Sequence, residues 1–85
     1  MLVIVTKYKS RQLDELRKLA RNLKNRLYSK STKLEIICSY EPLTESFHII
    51  ARLFLFGELS RTSIAIDGCE RISFLKALKD VLNLN

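Results

Sequence analysis

Phe47-His48-Ile49-Ile50-Ala51-Arg52-Leu53-Phe54-Leu55-Phe56 is the stretch on which the fold turns. As a strand, it sets Phe47, Ile49, Ala51, Leu53 and Leu55 on one unbroken apolar face and His48, Ile50, Arg52, Phe54 and Phe56 on the other. As a helix capped by Thr44, it gathers Phe47, Ile50, Ala51 and Phe54 on one side, with His48 and Arg52 opposite. Periodicity does not arbitrate between these over so short an apolar run, whereas the aromatic and β-branched content favours the strand.

Working outward, Leu34 to Tyr40 alternates Leu34, Ile36 and Cys38 against Glu35, Ile37 and Ser39, which predicts a strand. Glu41-Pro42-Leu43-Thr44 follows as a turn, because proline fixes its own φ and biases its predecessor away from helix. Beyond the central stretch, Gly57 to Arg61 reads as a hairpin-like connection, and Ile64-Ala65-Ile66 as a short last strand ending at the turn pair Asp67-Gly68. Residues 2–7 open with Leu-Val-Ile-Val, a continuous apolar run expected of a central strand covered on both faces.

Two helices complete the pattern. From Ser10 to Tyr28, Leu13, Leu16, Ala20, Leu23 and Leu27 recur at spacings of three and four, with Ser10 as the expected N-cap and Asp14 and Glu15 in the early turns that the dipole favours. From Ser73 to Leu82, Leu75, Leu78 and Leu82 continue the helical spacing from Ile72, with Phe74, Ala77 and Val81 broadening the apolar side. Asn83 to Asn85 are expected to fray. The reading is a single α+β domain, residues 1–85, with a small β-α-β-β-β-α sheet and two helices packed on it.

Charge is distributed unevenly. Between Lys7 and Lys33 stand ten basic residues against Asp14 and Glu15 alone; the rest of the chain has five basic and seven acidic residues, so the net +6 originates in this one region. Arg17, Arg21, Lys24 and Tyr28 form a stripe beside the buried seam of the first helix, and Lys18 and Arg26 widen it. Each cation that replaces a phosphate counterion adds a salt-sensitive increment, and a helix of about 19 residues spans ~28 Å. The candidate nucleic-acid-binding residues are Lys9, Arg11, Arg17, Lys18, Arg21, Lys24, Arg26 and Lys30, with Tyr28 as a stacking group. A solvated helix face supported by i,i+4 pairing of Asp14 with Lys18 accounts for the same pattern without any ligand.

Catalysis has little to stand on. His48 is the only histidine and sits among apolar residues, and Gly57 and Gly68 lie in separate turns, which leaves no phosphate-cradling loop. Asp67 and Glu70 suit capping and dipole roles at the last helix better than a metal site, and Cys38 and Cys69 have neither metal-ligand spacing nor a disulfide-rich setting. No catalytic residue, metal or cofactor is expected. With 47% apolar residues in a chain this small, part of that surface must face outward or meet another subunit. The expectation is a homo-oligomer, dimer or larger, with Phe54, Phe56, Phe74 and Leu78 at the interface. No run reaches the roughly 20 apolar residues of a membrane span, so the expected setting is cytoplasmic.

The junction from Ile64–Asp67 into Ser73-Phe74-Leu75-Lys76-Ala77 resembles the Pcc1 family, dimerisation subunits of the KEOPS complex that makes threonylcarbamoyladenosine in tRNA. Lys76 stands where the family has Arg, and Lys79-Asp80 where it often has Asn-Ser. The resemblance implies a non-catalytic accessory subunit of an RNA-handling assembly, with tRNA and a catalytic protein as partners. An autonomous RNA- or DNA-binding protein and a structural interaction module whose basic face meets an acidic protein are the alternatives. In the order of its elements, Ser10 to Leu82 also resembles a double-stranded-RNA-binding domain, with Glu70 and Arg71 where that family places a Lys-Lys cluster.

Overall fold

The computed structural model describes residues 1–84. Four strands and two helices follow one another as β1 (Leu2–Thr6), α1 (Leu13–Leu27), β2 (Lys33–Glu41), β3 (Ser46–Leu55), β4 (Glu58–Asp67) and α2 (Glu70–Leu82). The sheet runs β1-β2-β3-β4, with β1 parallel to β2 and the other pairs antiparallel. The expected α+β class and element order are those observed. Since β1 and β2 are parallel, the chain must cross over between them, and α1 is that crossover.

The deciding stretch is a strand. In β3, Ile49, Ala51 and Leu53 are buried and stand opposite Cys38, Ile36 and Leu34 of β2, so three apolar pairs line one face of the sheet. Leu16 and Ala20 of α1 and Phe74, Ala77, Leu78, Val81 and Leu82 of α2 close over them. Both helices cover this face alone. The other carries Val5, Ile37, Ile50, Ile64 and Ile66, of which Val5, Ile64 and Ile66 are exposed.

Several expectations are corrected. β1 is an edge strand, not a central one; its apolar run serves two environments, Leu2 and Ile4 packing against the core while Val5 meets solvent. The last strand begins at Glu58 instead of Ile64, because Phe56 (φ 53°) and Gly57 (φ 80°) turn the chain in two residues. A bulge at Leu53/Phe54 then absorbs one extra residue of β4. Helix α1 starts at Leu13, and Ser10 does not cap it: its Oγ accepts the Gln12 N–H at 3.2 Å in the turn before. Asn83 does not fray but takes the left-handed conformation that ends α2, its N–H donating to Asp80 O; Asn85 lies outside the described residues. Phe74 and Leu78, expected at an interface, are core residues at 1% and 0% exposure. Phe54 lies half-buried on the open face under the Lys33 ammonium, and Phe56 is fully exposed at the turn.

Polar anchors fix α2 to the sheet. Ser73, fully buried, places its hydroxyl 2.8 Å from Phe47 O and 3.0 Å from Ala65 O, and the Ser63 hydroxyl donates to Ala77 O at 2.6 Å. Arg61 donates to Val81 O (3.0 Å) and to the Tyr28 hydroxyl (2.7 Å), which in turn reaches Leu82 O, so one guanidinium joins β4 to the ends of both helices. At the opposite end, the Tyr8 hydroxyl donates to Glu70 in the first turn of α2.

Burial pushes the Cys38 thiol up to about 11, and burial together with the bond to Glu70 raises Tyr8 above the usual phenol range. Both groups are neutral when protonated, so raised values mean that the native state holds these protons more tightly than the unfolded chain. Stability is then full below about pH 9 and falls as pH rises toward 11, which urea titrations across pH 7–11 will show. At pH 8 a thiol reagent should modify the exposed Cys69 and leave Cys38 untouched until the protein unfolds.

A candidate nucleic-acid interface on the first helix

Helix α1 turns one side into the core through Leu16, Ala20 and the half-buried Leu13 and Leu23, and so directs its charged positions outward. Lys18, Arg21 and Arg26 are exposed and Arg17 half-exposed; Lys9 and Arg11 on the approach to the helix and Lys30 just after it are exposed as well. Fifteen residues at about 1.5 Å each make a rod of roughly 22 Å, shorter than the ~28 Å expected because Ser10 to Gln12 and Tyr28 are not helical.

What matters is whether the protein neutralises these charges itself. Among the described residues the ion pairs are Lys33 with Glu35, Arg52 with Glu35, and Arg71 with Glu15. None involves Lys9, Arg11, Arg17, Lys18, Arg21, Lys24, Arg26 or Lys30, and Arg71 occupies Glu15, one of the two carboxylates on the helix. The expected support of Lys18 by Asp14 is not formed as an ion pair.

Two of the sequence-derived residues sit elsewhere than expected. Lys24 is 2% exposed: its stem lies in the seam and its Nζ donates to Ser29 O at 3.4 Å. Tyr28 is half-buried against the core with its hydroxyl engaged by Arg61 and Leu82, so its ring is no free stacking platform. The aromatic surface is instead at the other end of the molecule, where Tyr8 meets Phe47 edge-on at 5.3 Å between centroids and Tyr40 lies 4.9 Å from the same ring. With Lys9, Glu45 and Gly68 they line an open hollow of about 490 Å³. Its one sequence signal is that Tyr40 and Phe47 flank the β2–β3 turn, where antiparallel register makes them partners.

The remaining chemistry-bearing residues are tied up structurally. His48 Nε2 lies 3.1 Å from the Ser46 hydroxyl, and Asp67 accepts the Cys69 N–H at the entry to α2. No group of three metal-ligating side chains comes together among the described residues, and no helix is long and apolar enough to cross a membrane.

No family model matches the chain, and no curated protein matches it. Among solved structures, its fold is similar to that of the protein Y N-terminal domain from Thermus thermophilus, with a TM-score of 0.74 and 12% identity over 98% of this chain and 93% of that one. A ribosomal subunit interface protein from Coxiella burnetii is similar at a TM-score of 0.70, with 13% identity over 96% of this chain and 89% of that one. These neighbours overturn the Pcc1 resemblance, and with it the reading as a tRNA-modification subunit with a KEOPS partner; they also go against the homo-oligomer expected from the apolar composition. The five-residue pattern from Ser73 to Ala77 reflects how an amphipathic helix packs on a sheet: Ser73, Phe74 and Ala77 are all buried against β3 and β4.

Tyr8 braces this region by tying the end of β1 to the start of α2. Tyr8→Phe removes the donor to a carboxylate only 9% exposed and is expected to cost about 1–3 kcal/mol in urea unfolding.

Proposed function

We propose that this protein binds the ribosome at the junction of its subunits, holding ribosomal RNA phosphates on the outward side of α1. One observation carries the reading: seven cations from Lys9 to Lys30 stand half-exposed or exposed without a carboxylate partner among the described residues, on a fold similar to that of a ribosomal subunit interface protein. The place of action is then the cytoplasm, where ribosomes are.

Binding of this kind needs no chemistry from the chain. A rigid helix presents its guanidinium and ammonium groups at fixed spacing, each one displacing a condensed counterion from the RNA. The entropy of that release, not base reading, supplies the affinity. Structured RNA suits a rod of this length better than a flexible strand does, because several phosphates must be met at once without bending. The protein acts by occupying the site, without catalysis.

Sedimentation with purified ribosomes tests this. The full chain should pellet with ribosomes, and log affinity should fall linearly with log salt. The triple reversal Arg11→Glu, Arg17→Glu, Lys18→Glu alters only surface positions; it should weaken binding at least tenfold at 0.15 M salt and reduce the salt slope by about 3. Undiminished pelleting of that variant would place the contact elsewhere.

A further inference from the structure

At the far end of α1 the chain builds a feature that a solvated helix face does not require. Arg21, Lys24 and Asn25 of α1, Lys30 of the following loop, Leu2 of β1 and Met1 just before it line a notch of about 190 Å³. Lys24 is its floor. At 2% exposure it is among the largest fully buried side chains of the protein, yet its ammonium, with three protons to donate, has one acceptor, Ser29 O at 3.4 Å. It takes part in no ion pair among the described residues. A buried charge without a counter-ion is costly, and proteins as a rule either pair such a group or neutralise it.

The walls of the notch are set in advance. The Met1 nitrogen donates to Lys30 O (3.1 Å) and Thr32 O (2.9 Å), the Thr32 N–H donates to Ser29 O (3.1 Å), and the Ser29 hydroxyl lies 2.8 Å from that of Ser31. The loop that carries Lys30 is therefore held against the start of β1. Arg21 and Asn25 stand one helical turn apart and frame the opening with donors. Burial first, and then the adjacent Lys24 ammonium, lower the Met1 amine below its usual value. Arg21, Lys24 and Lys30 bring three cations to the notch whatever the state of that amine.

We propose that this notch is a phosphate-binding site, in which the buried Lys24 ammonium, Arg21, Lys30 and the Asn25 amide hold the oxygens of one phosphate group. Its donors outnumber its acceptors, which suits a ligand with acceptors only, and a tetrahedral oxyanion satisfies several at once. The volume leaves room for that group and a few waters. The choice of phosphate over another oxyanion rests on the ribosome-binding reading above; the notch itself does not. An RNA backbone diester and a terminal phosphate present the same oxygens.

Titration of the full chain with inorganic pyrophosphate, followed by amide shifts in two-dimensional NMR, tests the site directly. Saturable shifts confined to residues 1–2 and 21–32 are expected. Lys24→Met keeps the stem and removes the charge, and should weaken pyrophosphate at least tenfold; Lys30→Ser, at an exposed position that cannot upset the core, should weaken it at least threefold. The Lys76→Glu, Lys79→Glu pair, exposed on α2 and outside the notch, should alter it less than twofold. Wild-type shifts that fail to saturate or that spread evenly along α1, or an unchanged Lys30→Ser, overturn the proposal. To separate the sources, matched RNA hexamers with and without a 5′-phosphate are compared: tenfold preference for the phosphorylated one assigns a terminal phosphate, equal affinity with displacement by pyrophosphate assigns the diester, and binding that pyrophosphate does not displace counts against the notch. Capture of pyrophosphate by a chain that does not pellet with ribosomes would remove the ribosome reading and leave the notch standing. Ribosome binding without pyrophosphate capture would do the reverse.

Discussion

Covering only one face of a four-stranded sheet is the constraint from which the rest follows. Leu34, Ile36, Ile49, Ala51 and Leu53 form an apolar floor that two helices must roof, and a helix that roofs a floor has an outer side. For α1 that outer side is where the cations stand. Its direction is fixed by Leu16 and Ala20 pointing inward, so the electrostatic surface is a by-product of core packing. A charge whose position is set in advance loses little freedom on meeting a counter-charge.

The closeness of α2 to the sheet comes from small residues. Ser73 and Ala77 let the helix backbone approach β3 and β4, and hydroxyls at Ser63 and Ser73 occupy carbonyls there. Arg61 and Tyr28 do the same work at the other end, where α1 and α2 converge. Buried polar groups in this protein thus form a hinge-free frame around an apolar centre, and every buried side-chain nitrogen or oxygen among the described residues has a partner.

Sequence patterning made the element order legible, because β3 is rich in aromatic and β-branched residues and both helices keep the three-and-four spacing. It failed at particular residues for physical reasons. The first half of β4 reads as a loop since its core-facing positions are Arg61 and Ser63, whose partners are helix carbonyls that no local pattern reveals. Lys24 reads as surface because its stem, not its charge, satisfies the seam. Phe74 and Leu78 look surplus for a small domain, yet the broad apolar side of α2 spans two strands and needs its full width. Of the candidate interface, the sign of the charge was visible from composition and its location from the clustering of Lys and Arg between Lys7 and Lys33. The absence of internal neutralisation was not, since it depends on Arg71 reaching Glu15 across 56 residues.

The parallel pairing of β1 with β2 has a kinetic consequence. The β2-β3-β4 meander and α2 are joined by tight turns and close on near neighbours in the chain, whereas β1 finds Leu34–Cys38 only after some thirty residues have been looped back. Loop closure of that length delays the pairing, so the meander with α2 assembles as the early-forming unit and the amino-terminal third docks onto it last. By the same reasoning that third is the first to be released when the native state opens, so the amides of α1 exchange with solvent ahead of those of β3.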